Sequence, residues 1–380
     1  MEDSEIFQSH GYRFEIHKIK TPDNFILSAW RVPGKITESM KDIAKKPPVI
    51  LQHGCLDNSA TWTINYFNNS LPYLLLEEGY DVWMTNNRGN FNSYEHTNPK
   101  DYSVFDYSSA YWNFTFDDMA KYDLPSNIDY ILDYTNKDKV TYIGHSQGTM
   151  QFFAGNCLQN VARKIEAFVG LGPVMYVNHM ESPIATLAVT LKLDMIFKFF
   201  GLNNILLWPK IVNVSLKDLV VRIRRTIWRL IQLICGVGAE INIDLDRMPV
   251  MGRREPGGSS LNNMIHWIQL MKTDKFQMMD YGADNMQVYG QPAPPEYNTE
   301  IMKDNLKDLD MLLIRGSTDS LVTETDFRKL LDHLKDKIGK SLKYEVVENY
   351  SHLDYIWAKD SMELINKPVI DFLKQRKESN

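Results

Sequence analysis

The pentad Gly144-His145-Ser146-Gln147-Gly148 is where residue types and spacing point to covalent chemistry. A serine hydroxyl is a poor nucleophile at neutral pH, so it needs a base to take its proton and a carboxylate to orient that base. Such a set performs acyl transfer: attack on a carbonyl carbon, an oxyanion intermediate, and expulsion of a leaving group. With 20 glycines in 380 residues the pentad by itself is a weak signal. Its setting strengthens it. The apolar run Val140 to Ile143 reads as a strand and Thr149 to Leu158 as a helix, and between them the glycines leave room for a sharp turn that lifts Ser146 out. A helix N-terminus behind the serine also favours developing negative charge.

In strand-turn-helix settings of this kind the partners follow in the order serine, acid, histidine. His333 and His352 are the late candidates for the base. His333 lies on the polar flank of an amphipathic stretch and reads as a solvated surface residue. His352, within Asn349-Tyr350-Ser351-His352-Leu353-Asp354, falls in a loop just after the last predicted strand and reads as the base. For the acid, Asp319 follows the predicted strand Met311 to Ile314 through Gly316-Ser317-Thr318. That is the C-terminal end of a strand, where catalytic groups of α/β proteins gather. Asp310 precedes the same strand and belongs to the wrong end of the sheet. Asp326 reads as a first-turn helix residue, and Asp354 as a structural neighbour of His352. Two N–H donors are needed for the oxyanion. One is the backbone N–H of Gln147; the other is assigned to Cys55, in the His53-Gly54 turn after Pro48 to Leu51, with the Leu56 N–H as a near alternative. His53 itself precedes the nucleophile and reads as a brace for that loop.

Elements able to position these residues are legible along the chain. Tyr12 to Ile19 and Phe25 to Val32, around the turn residues Thr21 to Asn24, predict an antiparallel hairpin. Pro48 to Leu51, Tyr80 to Met84, Val140 to Ile143, Ala167 to Leu171 and Met311 to Ile314 are short apolar runs, as expected of strands buried on both faces, and Leu342 to Val347 is a sixth. Helical stretches such as Phe116 to Tyr134 and Thr325 to Ile338 lie between them. The alternation predicts an α/β fold with a doubly wound, mostly parallel sheet. The rhythm breaks from about residue 178 to 305, where Met, Phe, Leu and Trp dominate; this predicts an inserted, mainly helical cap between two parts of a core, 1–177 and 306–380.

Composition excludes several classes. Forty-eight acidic residues against 42 Lys and Arg give a net charge of -6, which offers no field to attract nucleic acid. The apolar stretches 184–202 and 217–238 are interrupted by Lys192, Asp194, Lys198 and by Arg222, Arg224, Arg225, Arg229, so no transmembrane segment is predicted and both read as amphipathic helices. Cys55, Cys157 and Cys235 fit no metal-ligand spacing and read as small buried residues. No metal or organic cofactor is expected, since the metalloprotease, P-loop and dinucleotide-binding motifs are all missing from the sequence. Residues 1–20 carry no apolar run, so the chain as written predicts a cytoplasmic or lipid-droplet-surface protein, or a lysosomal or secreted one whose signal peptide has been removed.

Longer runs carry a resemblance. Leu51 to Gly54, Gly79 to Trp83 with Asn87-Arg88-Gly89-Asn90, Phe116 to Pro125, Gly144 to Thr149, Asn263-Met264 with His266-Trp267, Lys275 to Gln277, and His352 to Trp357 together make the chain resemble the acid lipase family from about Gly11 to Phe372. The family contains gastric lipase and lysosomal acid lipase. The resemblance implies an α/β-hydrolase fold, the triad Ser146, Asp319 and His352, oxyanion donors Gln147 and Cys55, and neutral-lipid esters, triacylglycerols or steryl esters, met at a lipid-water interface. There are departures. Secreted members pair cysteines in the cap, whereas here Cys235 stands alone, and residue 55 is Cys where Leu is usual. Four N-glycosylation patterns begin at Asn68, Asn113, Asn213 and Asn349. A general carboxylesterase on short soluble esters would share every catalytic residue, and a non-catalytic binding protein of this fold would be expected to lose one.

Overall fold

Successive apolar residues along the central strands point to alternate faces of one sheet and so cover both. In the computed structural model, which describes residues 3–98, 110–191, 204–205, 217–238, 242–338 and 341–379, the strands are β1 (Glu15–Lys20), β2 (Phe25–Val32), β3 (Pro48–Gln52), β4 (Asp81–Thr85), β5 (Glu95–His96), β6 (Val140–His145), β7 (Ile165–Leu171), β8 (Asn204–Ile205), β9 (Ser259–Ser260), β10 (Met311–Gly316) and β11 (Leu342–Val347). The main sheet runs β1-β2-β4-β3-β6-β7-β10-β11, with β5 paired to β2. β1 and β2 form the expected antiparallel hairpin, and β2 meets β4 antiparallel. From β4 to β11 every pairing is parallel.

Burial explains the period. In β3, Val49 and Leu51 enter one apolar layer while Ile50 enters the other. In β6 the pair Tyr142 and Ile143 divides in the same way, as do Leu313 and Leu312 in β10. Side chains two apart share a face, so a run without polar residues is the signature of a strand covered on both sides. One layer is completed by Leu124, Ile128 and Ile131 of the helix Leu124–Thr135 and by Met150, Phe152 and Phe153 of the helix Gln147–Leu158. The other takes Leu71 and Leu75 of Leu71–Glu77 and Val369, Ile370 and Leu373 of Lys367–Ser379. β11 differs: Lys343, Tyr344, Glu345 and Val346 are exposed. It is an outer strand of the sheet, paired among the described strands with β10 alone, and its charges suit a solvent-facing edge.

The stretch expected as one helix from Phe116 to Tyr134 is built in three pieces: α-helix Phe116–Asp118, a π-helical turn Met119–Asp123, and α-helix Leu124–Thr135. Pro125 lies in the first turn of the last piece and has no N–H to give the preceding turn. The Lys121 carbonyl, four residues earlier, instead accepts from the Gln159 side chain at 3.3 Å. The turn also sets Asp123 beneath Arg88. Asp123 accepts the Arg88 backbone N–H at 2.9 Å and its Nε at 2.8 Å, and Arg88 reaches on to both oxygens of Asp23 at 2.6 and 3.0 Å. The guanidinium carbon is 4.0 Å from the centre of the Phe25 ring. Two of the family-like runs, Asn87 to Asn90 and Phe116 to Pro125, therefore meet in a buried ion cluster that locks the hairpin turn to the helical layer.

Between β7 and β10 the chain leaves the sheet. Its described parts there are mainly helical: Pro183–Thr190, Lys217–Cys235, Met248–Arg254, Leu261–Met271, Asn285–Tyr289 and Thr299–Leu306, with the two-residue pairing of β8 and β9. The apolar segment Leu191 to Phe200, expected to be amphipathic, lies outside the described residues beyond Leu191. No described helix is long and apolar enough to cross a membrane.

The Arg88 cluster is open to test. Removing one partner of a buried pair strands the other charge in the interior, which costs about 3–5 kcal/mol. Arg88→Met retains bulk and removes the charge, leaving Asp123 uncompensated. It should lower the free energy of unfolding in urea by an amount in that range, with a lower midpoint, and an unchanged midpoint would show that the ion cluster contributes no more than its apolar contacts.

Candidate functional site

The elbow is strained as the pentad requires. Ser146 has φ 53° and ψ -122°, a conformation that L-residues rarely adopt and that persists only when the surroundings hold it. Here the Ser146 N–H donates to the Leu171 carbonyl at the end of β7 at 3.0 Å, and its carbonyl accepts from the N–H and hydroxyl of Thr149 at 2.8 and 2.7 Å. At Gly148 a Cβ would stand 2.7 Å from the Gln52 carbonyl oxygen and 2.9 Å from that of His53. Only glycine lets the helix Gln147–Leu158 start so close to the end of β3.

Residues 206 and 33 positions apart in sequence converge at this elbow. Ser146 Oγ lies 2.7 Å from His352 Nε2, and His352 Nδ1 lies 2.8 Å from Asp319 Oδ2. An ionised carboxylate can only accept, so the ring proton sits on Nδ1 and Nε2 is free to accept from the hydroxyl. Asp319 is fully engaged: Oδ1 accepts from the N–H groups of Leu321 and Val322, each at 2.9 Å, and Oδ2 also accepts the Tyr355 hydroxyl at 2.9 Å. Burial alone would raise its pKa, but His352 and these donors outweigh it and hold the carboxyl below the ordinary aspartate value. The histidine backbone is fixed as well. Its N–H donates to the Cys235 carbonyl at 3.1 Å and its carbonyl accepts from His145 Nε2 at 2.9 Å. That bond puts the single His145 proton on Nε2, and burial, with His352 adjacent, lowers the His145 pKa to about 3.

The weighed alternatives lie elsewhere. Asp354 Oδ2 accepts from the Ser351 N–H at 2.7 Å, the Ser351 hydroxyl at 3.0 Å and Asn242 at 3.2 Å. Asp310 pairs with Arg376. Asp326 is in the first turn of Glu324–Ile338 and holds both the N–H and ring of His179. His333 is half-buried, its ring edge-on to Tyr176, rather than freely solvated. His53 does brace its loop: Nδ1 donates to the Gly54 carbonyl at 2.8 Å while Nε2 accepts from the Asn87 N–H and the Asn90 side chain, each at 3.1 Å.

That loop faces the nucleophile. A Cβ at Gly54 would be 3.1 Å from the Ser146 Cβ, so the loop that carries Cys55 packs against the elbow, where the first N–H groups of the helix Gln147–Leu158 have no partner within the helix. The Leu56 N–H, the near alternative, lies beside the Cys55 thiol, whose pKa burial pushes up and this N–H lowers. Sequence reasoning gave no role to Tyr355, to the Cys235 carbonyl, or to Asn263 and Trp267, which bind the Gln147 side chain at 2.9 and 2.7 Å. Three of these four lie in the runs that carry the family resemblance, but nothing in their spacing says which atoms they touch. Among the described residues no group of three or more His, Cys, Asp or Glu is placed to hold a metal ion.

Comparison with known proteins bears on the fold and the family. Residues 47–359 match the family model of the alpha/beta hydrolase fold, and residues 4–66 that of a partial alpha/beta-hydrolase lipase region. The chain is 34% identical over 386 residues to bovine (Bos taurus) gastric triacylglycerol lipase, covering 99% of this chain and 92% of that protein. It is 35% identical over 388 residues to human (Homo sapiens) lysosomal acid lipase/cholesteryl ester hydrolase, covering 99% and 91%. An esterase structure from Pyrococcus furiosus superposes with a TM-score of 0.52 at 16% identity over 97% of this chain and 92% of that one, a likeness of fold. With near full-length identity of this order on a nine-stranded, mostly parallel sheet, the chain belongs to the acid lipase family of α/β hydrolases.

Proposed function

We propose that this chain hydrolyses carboxylic esters of neutral lipids, triacylglycerols or steryl esters, through an acyl-enzyme on Ser146. The observation that carries the reading is the unbroken relay from Ser146 Oγ to His352 Nε2 and from His352 Nδ1 to Asp319 Oδ2, at 2.7 and 2.8 Å. The substrate class is supported by the relatives, which are named for triacylglycerols and cholesteryl esters. In the first step His352 Nε2 takes the hydroxyl proton as Ser146 Oγ attacks the ester carbon. Asp319 holds the imidazolium. The negative charge forming on the carbonyl oxygen is met by the Gln147 and Cys55 N–H groups, and the alcohol leaves with the proton from Nε2. Water then loses its proton to the same nitrogen, attacks the acyl-serine, and frees the fatty acid with Ser146 restored.

Residues 178–305 act in this reading as a cap over the acyl site. Ser146 is only 5% exposed, so an ester reaches it under that cap. The helix Pro183–Thr190 with its C-cap Leu191 and the helix Lys217–Cys235 leave Leu187, Leu191, Leu230 and Leu233 exposed, which suits contact with a lipid-water interface.

Ser146→Ala should remain folded and lose about 10⁴-fold or more of its ester turnover. A fluorophosphonate probe should label the parent at Ser146 and nowhere else. Retained turnover, or labelling at another residue, would reject the nucleophile.

Asp319→Asn should cost about 10⁴-fold in kcat by favouring the wrong imidazole tautomer. Asp354→Asn should cost far less, because its oxygens serve the Ser351 turn. The reverse order would make Asp354 the acid.

Substrate class is read from a chain-length series of p-nitrophenyl esters run beside emulsified triacylglycerol and steryl ester. The neutral-lipid reading expects turnover of the emulsions and a rise in rate once substrate passes its solubility. A preference for short soluble chains with no response to an interface would identify a general carboxylesterase instead.

A further inference from the structure

The run from Asn263 to Trp267 takes no part in the acyl-transfer steps, yet its side chains reach both residues whose N–H groups are the proposed oxyanion donors. Asn263 is wholly buried in the first turn of the helix Leu261–Met271, where its N–H donates to the Ser260 hydroxyl at 3.0 Å. Its Oδ1 accepts the Phe116 N–H at 2.9 Å. That N–H can only donate, so the orientation of the amide is fixed with Nδ2 turned toward the elbow. Nδ2 lies 2.9 Å from Gln147 Oε1, 3.7 Å from Cys55 Sγ and 3.2 Å from Ser259 Oγ. The Gln147 amide is fixed in the same way. Trp267 Nε1, a donor only, lies 2.7 Å from Oε1, which leaves Gln147 Nε2 against the Met119 sulfur at 3.3 Å.

We infer that Asn263 is the positioning residue of the oxyanion hole, one amide nitrogen tying the loop after β3 to the elbow after β6. The inference rests on the assignment of Gln147 and Cys55 as the donors. Those donors arise from separate loops, and an oxyanion hole works only when both N–H groups are held at hydrogen-bond distance from where the charge will form. The close contact of Gly148 with the carbonyls of Gln52 and His53 fixes the backbones behind the hole. In front of it, the Asn263 Nδ2 group spans the two side chains, and Trp267 gives Gln147 a second anchor on the same helix. The cap thus supplies part of the site's preorganisation without touching the reacting atoms. Loss of Asn263 should leave substrate binding intact and weaken the transition state.

The test is steady-state kinetics of Asn263→Asp and Asn263→Ala on a soluble p-nitrophenyl ester, with kcat expressed per active site titrated with a fluorophosphonate. Asn263→Asp retains the acceptor for the Phe116 N–H and puts an oxygen opposite Gln147 Oε1. Removing a donor outright costs about 10²–10³-fold, so displacing the donors should cost about 10–100-fold in kcat with KM nearly unchanged. Phosphonylation of Ser146, whose phosphoryl oxygen uses the same hole, should slow by the same factor. Gln147→Met cuts the contact from the core side, and its loss should not multiply with that of Asn263→Ala. If neither cap variant folds, Gln147→Met decides alone: the same kcat loss is expected, and a parental kcat overturns the inference. Parental kcat in a folded Asn263→Asp, a loss carried by KM, or multiplying losses overturn it as well. Ser146→Ala run in parallel separates the two levels. An inactive Ser146→Ala beside fully active Asn263 variants rejects the positioning role alone, whereas an active Ser146→Ala rejects the nucleophile beneath it.

Discussion

Proton transfer from a serine hydroxyl to an imidazole nitrogen tolerates little error in distance, and the structure is organised around holding that distance at 2.7 Å. Ser146, Asp319 and His352 each follow the C-terminal end of a different parallel strand, β6, β10 and β11. Parallel strands put those ends side by side, and the apolar layers on both faces keep the sheet from flexing. What the sheet leaves loose, local bonds tighten. His352 is held at its N–H, its carbonyl and both ring nitrogens. Asp319 accepts four bonds, so a buried charge that would otherwise be costly is stable as the carboxylate that the imidazole requires.

Much of this was legible from residue order and pattern. The five apolar runs from Pro48 to Ile314 became strands within a residue or two, because a segment buried on both faces must be apolar throughout and little else in a sequence looks like that; Leu342 to Val347, which carries Lys343 and Glu345, became an exposed edge strand instead. Asp319 stood out from Asp310, Asp326 and Asp354 by its place relative to one strand, since direction along a parallel sheet decides which end a loop joins. What stayed hidden depends on long-range contact. Tyr355 lies three residues after His352, and nothing in that spacing says its hydroxyl returns to Asp319 while accepting the Gly316 N–H at 2.6 Å. The π-helical turn before Pro125 was invisible for a similar reason, as its displaced carbonyl finds its partner in Gln159 of another element.

Specific-looking runs also divide by what they do. Phe116 to Pro125 is the longest of them, and its buried Asp123 serves the Arg88 cluster rather than chemistry. The same run nevertheless bears on the site, since the Phe116 N–H is what turns Asn263 the right way round. One recognisable run thus mixes residues that build the frame with a residue that orients part of the site.

The insertion between β7 and β10 is tied into the same constraint. Cys235, at the end of the helix Lys217–Cys235, offers one carbonyl to two N–H groups, those of His352 at 3.1 Å and Ser320 at 3.4 Å. The preceding carbonyl, of Ile234, takes the Ser320 hydroxyl at 3.0 Å. The last carbonyls of a helix have no partners within it; here they find them in the loops that carry the acid and the base. The same helix exposes Leu230 and Leu233 on its outer side. Exposed apolar side chains and bonds to the loops of the relay thus belong to one helix, and Asn263, on the helix Leu261–Met271, makes a second tie at Gln147. Bonds from the segment between β7 and β10 end on His352, Ser320 and Gln147, so this segment takes part in holding the site.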